Sequence, residues 1–245
     1  MGAAGPSRRA EGAPPGASGR VRGLPYAGGV TSGFSGFPVA ALDFYDDLEV
    51  DNTRSYWEQH RTVYEESVRA PMLALTAALA PEFGEAKVFR PYRDVRFAKD
   101  KTPFKTHQGA FVAAGPSTGF YVEVSPRGVR TGAGFYRAEP PQLAAYRAAV
   151  AHDLTGAQLE EIVSALRAEG WDVAGDQLKT SPRGYDAGHP RIALLRHRSL
   201  VAGRSLGFEP VIHTPELLDR VREDWRRLRP LVAWLAANCR ARAEG

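Results

Sequence analysis

Residues 119–138 read GFYVEVSPRGVRTGAGFYRA, and this stretch decides the fold. Phe120, Val122 and Val124 alternate with Tyr121 and Glu123, the period of a strand with one buried face. Ser125-Pro126-Arg127-Gly128 supplies turn chemistry, and a second extended run follows, so the stretch predicts a β-hairpin. Gly132 and Gly134 sit inside the second strand, where glycine marks a bulge or a close approach by another group.

Toward the N-terminus, FKTHQGAFVAA (104–114) alternates well enough for another strand. Before Val88 the period is helical. SGFPVAALDFYDDLE (35–49) puts Pro38 at a first helical position. DNTRSYWEQHRTVYEESVRAPMLALTAALAPEFG (51–84) predicts a helix capped by Asn52 or Thr53, with a kink or restart at Pro71 and an end at Pro81–Gly84. Toward the C-terminus, residues 140–153 and 155–171 predict two helices, the second capped near Thr155 and closed by Gly170. SPRGYDAGHP (181–190) is a loop, PRIALLRH (190–197) a short helical turn, and SLVAGRSLGF (199–208) a strand. A last helix starts at Thr214-Pro215, with a bend at Pro230. Helices, then strands, then helices around a final strand predict an α+β domain. Its central, mainly antiparallel sheet lies in the middle of the chain, flanked by N- and C-terminal helices. Residues 31–245 form this one domain. Residues 1–30, rich in Gly, Ala, Pro and Arg, predict a disordered extension.

Hydrophobic residues make up 43% and charged residues 24%, a soluble globular composition. No apolar run approaches the ~18 residues of a membrane span. Arg8-Arg9 is followed by no apolar segment, so export is not expected. The single cysteine, Cys239, has no partner for an internal disulfide and suits a reducing, cytoplasmic location.

The net charge of +4 is unevenly spread. Residues 90–137 hold nine Lys/Arg against Asp94, Asp100 and Glu123, and residues 179–204 hold six against Asp186. The acids gather in the first helices. Familiar catalytic motifs are missing from the sequence: no phosphate loop, no dinucleotide fingerprint, no nucleophile elbow. The six histidines lack metal-ligand spacing, and one cysteine makes no zinc cluster, so no metal or cofactor is expected. Asp100 and Glu123 resemble a nuclease carboxylate pair, but position 125 holds Ser125 instead of the lysine such a site needs. Whether the chain is an enzyme, and its oligomeric state, the sequence leaves open.

The basic cluster FRPYRDVRFAKDKTPFKTH (89–107) carries the functional question. An extended 90–98 would put Arg90, Asp94 and Arg96 on one face and Arg93, Val95 and Phe97 on the other. Arg93 on an apolar face needs a carboxylate or an anionic ligand, because an unpaired buried guanidinium is costly. The first expectation is therefore a pocket for a phosphate- or carboxylate-bearing small molecule. Arg93, Arg96, Lys101, Arg137, Lys179, Arg183, Tyr185, His189 and Arg191 would line it. Glycines at both basic segments (Gly132 and Gly134; Gly184 and Gly188) support it. His107 and His189 are candidate acid/base groups, each with a plain hydrogen-bonding alternative. A nucleic-acid face ranks second, since no aromatic ladder interleaves with the basic residues. The third reading is structural, with the basic residues paired to acids of the first helices.

The same residues resemble a family. RPYRDVRFAKDKTPF is similar to the signature of a bacterial family, domain of unknown function 2461, whose pattern falls on Arg90, Arg93, Asp94, Arg96, Phe97, Asp100, Lys101 and Phe104. FSGFP (34–38) and LKTSPRGYDAGHPRIALLRHRSL (178–200) also resemble it. The resemblance runs from about Phe34 to the C-terminal helix and implies one domain, with residues 1–30 outside it. It implies no activity.

Overall fold

The computed structural model describes residues 33–240, so the expectation for residues 1–30 lies outside the described residues. Three helical stretches come first: α1 (Val39–Val50), α2 (Arg54–Val63) and α3 (Ala70–Phe83). A π-helical turn, Tyr64–Arg69, joins α2 to α3, and α3 restarts at Ala70 with Pro71 in its first turn, in line with the restart expected there. Of the two cap candidates it is Thr53 whose side chain accepts from the Tyr56 amide.

Six strands follow in an antiparallel sheet: β1 (Ala86–Val88), β2 (Gln108–Gly115), β3 (Thr118–Ser125), β4 (Gly128–Phe135), β5 (Asp172–Ala174) and β6 (Leu200–Gly207). Their spatial order is β1-β2-β3-β4-β6-β5. The helices α4 (Pro140–Ala151), α5 (Asp153–Ala168), α6 (Ile192–Leu195) and α7 (Leu217–Asn238) complete the α+β domain, which has the expected sheet in mid-chain. The helix of α5 starts two residues before Thr155, which donates to Ala149 O and ties α5 to α4 instead of capping. Edge strand β5 carried no alternating signal, because three residues are too few to show a period.

Strand alternation sorts the sheet into two faces. Phe120 and Val122, paired with Ala133 and Thr131, point to the helices, as do Ala202 and Leu200. There Phe120 stacks on Trp225 of α7, and Phe135 meets Tyr146 of α4. These buried rings belong to one continuous core. A charged group sits inside it. Asp224 of α7 is fully buried and pairs with Arg204 of β6, while the Thr131 hydroxyl donates to its Oδ2 at 2.5 Å. The Arg204 guanidinium lies 4.4 Å over the Trp171 ring. This knot ties α7 to β4 and β6.

Candidate functional site

Between β1 and β2 the basic cluster forms a lobe, not a strand. Its stem is a narrow ladder: Arg93 N donates to Pro103 O, and Lys105 N to Pro91 O, both at 2.8 Å. Asn52, at the α1–α2 junction, grips Phe104 twice, and Trp57 stacks on the Phe104 ring at 4.3 Å. Tyr64, on the π-helical turn, donates to Gln108 at 2.7 Å, and Gln108 donates onward to Phe89 O. The helices thus hold the lobe by its stem.

The lobe's tip is closed by its own charges. Arg93 donates to Asp100 and Thr102, and Arg96 forms a two-pronged pair with Asp94 at 2.9 and 2.7 Å. Lys101 donates to Val95 O at 2.9 Å. The Asp94 carboxyl is held down at about 2 by its hydrogen bonds from Arg96, and Asp100 at about 2 by the Thr102 amide and Arg93. This corrects the extended reading of 90–98. Arg93 is not on an apolar face, Phe97 is 97% exposed, and the tip's acids come from the lobe itself, not from the first helices.

The other predicted residues lie elsewhere. Arg191 is mostly buried and donates to Glu160 at 2.8 Å, pinning the loop before α6 against α5. His189 accepts at Nδ1 from the Arg191 amide, a local turn contact. Tyr185 packs against the core, while Lys179, Arg183 and Arg137 are exposed. The lobe leaves β1 beside Ala110, at the β3–β4 turn end of the sheet. The 175–191 loop leaves β5 beside Val201, at the opposite end, where Arg137 also follows β4. Five strand spacings separate β1 from β5, about 24 Å. The two basic segments occupy opposite corners, so no single pocket is lined by both.

The sheet face turned away from the helices holds what sequence reasoning missed. Alternation places Phe111, Tyr121, Glu123, Arg130, Gly132, Gly203 and Ser205 on it. Three planar side chains lie over three glycines of neighbouring strands. Tyr121 covers Gly109, Phe111 covers Gly119, and Arg130 covers Gly203, where a Cβ would stand 3.6 Å from its Nε and Nη2. Tyr121 donates to Glu123 at 2.6 Å, and burial, then the Glu123 charge, push its phenol pKa up. A groove of about 570 Å³ opens here toward the lobe, with His107, Glu123, Arg127, Arg130 and Ser205 around it. Glu49 and Asp172 add negative charge at its rim. Among the described residues Arg130 belongs to none of the ion pairs, and no cluster of metal-binding side chains occurs. The signal for this floor was the count of glycines in strand positions, which only the register resolves into one face.

The family model for DUF2461, described as a conserved hypothetical protein, matches residues 40–234. The chain belongs to the DUF2461 family. No curated protein matches the sequence. Arg93, Asp94, Arg96, Asp100 and Lys101, in the stretch that resembles the family's signature, close the lobe tip, and Phe104 of the same stretch is the residue that Asn52 and Trp57 hold. No helix among the described residues is long and apolar enough to cross a membrane.

Proposed function

We propose that this DUF2461 protein binds an anionic ligand bearing phosphate or carboxylate, in the groove of the open sheet face, with Arg130 as the charge anchor. One observation carries this reading. Arg130 is exposed and outside every ion pair among the described residues, yet it is laid in place across Gly203. An uncommitted guanidinium presents its donors in the fork that suits phosphate and carboxylate oxygens. The groove's size falls in the range of small-molecule sites, about 300–1,000 Å³. Ser205 accepts from the Gly207 amide, so its own hydroxyl hydrogen is available to a ligand. Arg127 adds a second cation on the turn. The carboxylates of Glu123 and Asp172 favour a ligand that also carries hydrogen-bond donors. The lobe cations and the exposed Arg137, Lys179 and Arg183 stand outside this groove and are not part of the proposed contact set.

A thermal-shift screen of the full chain with phosphate, sulfate, nucleotides, sugar phosphates and organic acids at constant ionic strength tests it. A ligand at ~100 times its dissociation constant adds ~2.7 kcal/mol, or roughly 5–10 °C for a chain of this size. The shift is expected to vanish in Arg130→Ala and persist in Arg183→Ala. A screen without any shift, or a shift that survives Arg130→Ala, sinks the proposal.

A further inference from the structure

We infer that the open sheet face is a stacking platform for single-stranded nucleic acid, with the β1–β2 lobe as an additional contact. The inference rests on the anion reading above and names its ligand class. The observation behind it is the laying of Phe111, Tyr121 and Arg130 over Gly119, Gly109 and Gly203. Phe111 and Tyr121 are half-buried, and the part of each ring left open is where an unpaired base can stack. Phe111 and Tyr121 are directly paired across β2 and β3, and Phe89 lies 6.4 Å from Tyr121 between ring centres. Tyr136, one residue past β4, is 72% exposed and follows the same alternation. Planar groups spread over four neighbouring strands exceed what one small ligand covers, at about 4.8 Å per strand spacing. Bases stack on aromatic rings and guanidinium planes alike, whatever their sequence.

The cations that would meet a polyanion lie mainly toward the lobe. Lys87 shares the open face with Phe111, and Lys105 sits 5.3 Å over the Phe89 ring. Beyond them the lobe offers Arg90, Lys99 and Phe97, all exposed. Arg130 and Arg127 supply phosphate contacts at the groove. Glu123, directly across from Arg130 in the β3–β4 register, opposes phosphate locally, as do Glu49 and Asp172 at the groove.

Fluorescence anisotropy of the full chain with labelled 12-nucleotide oligothymidylate, oligouridylate and a matching duplex provides the test. Single strands are expected to bind more tightly than the duplex, with log affinity falling linearly against log salt. Tyr136→Ala and Phe97→Ala, both at exposed positions, are each expected to weaken binding about 5-fold or more. Arg130→Ala is expected to reduce the salt slope by roughly 0.7. Absence of binding, equal affinity for duplex, or unchanged affinity in both aromatic variants overturns the inference; the last outcome would assign any binding to charge alone. If oligonucleotides fail while inorganic phosphate gives an Arg130-dependent melting shift, this inference falls and the small-anion reading stands. If neither binds, both fall.

Discussion

Asn52 holds Phe104 by both of its backbone polar groups: Nδ2 donates to the Phe104 carbonyl at 3.1 Å, and Oδ1 accepts from the Phe104 amide at 3.0 Å. The side chain stands in for a neighbouring strand at the place where the lobe leaves the sheet. Asn52→Ala removes two hydrogen bonds worth about 1 kcal/mol each. Destabilisation of about 2 kcal/mol is expected, with faster hydrogen exchange concentrated in residues 91–105. A uniform loss of protection over the whole domain would show that Asn52 does not act on the lobe in particular.

The buried Asp224 makes a sharper energetic prediction. Asp224→Ala leaves Arg204 and the Thr131 hydroxyl without their carboxylate, and is expected to cost about 3–5 kcal/mol. Replacing three of its members together, Thr131→Val with Arg204→Met and Asp224→Leu, is expected to recover most of that loss, because an apolar filling needs no desolvated charge and Arg220, 3.7 Å from Asp224 and 37% exposed, can turn to solvent. Urea melts of the single and triple variants decide it. A triple variant weaker than Asp224→Ala would mean the ion pair stabilises the domain outright.

The lobe tip has a predictable response to acid. Asp94 and Asp100 sit at about 2 when folded, below the ordinary aspartate range near 3.9. A depressed carboxyl stabilises the folded form above its unfolded pKa, and that contribution is lost as pH falls through the folded value. The tip is therefore expected to stay closed down to about pH 3 and to loosen toward pH 2. Carbon-detected NMR titration of the two carboxyls measures this directly. Midpoints near 4 for both would contradict the closed tip.

Gly128 closes the hairpin at φ +89°, and a Cβ there would stand 1.6 Å from Gly207 O on β6. Gly128→Ala is both strained and obstructed, and a loss greater than about 1 kcal/mol is expected. Gly184, at φ +88° with open space around it, carries only the backbone strain. The same substitution there is expected to cost less in a thermal melt, and equal costs would refute the steric argument.

Cys239 is buried, and burial pushes its thiol up to about 12. Reaction with a thiol reagent at pH 8 is expected to be slow in the native protein and to accelerate sharply in denaturant. Rapid native labelling would place the C-terminal end of α7 in an open state.

By itself the sequence determined the α+β class, the hairpin 119–138 and the flanking helices, because alternation and helical spacing are local properties of the chain. It also picked out the 89–107 cluster as the odd segment, through charge density alone. What only the tertiary structure decided was where those charges go. Arg93 and Arg96 are satisfied within the lobe by Asp100 and Asp94, a folding-back of seven residues or fewer that an extended reading excluded. Arg191 is taken up by Glu160 on α5. The separation of the two basic segments follows from the strand order β1-β2-β3-β4-β6-β5, which depends on pairings between residues far apart in the chain. The open face, with Phe111, Tyr121 and Arg130 over their glycines, exists only once four strands are in register. In sequence Tyr121 shows only as the other phase of the hairpin's alternation, and nothing joins it to Phe111 and Arg130, because a surface assembled across strands leaves no periodic signal along any one of them.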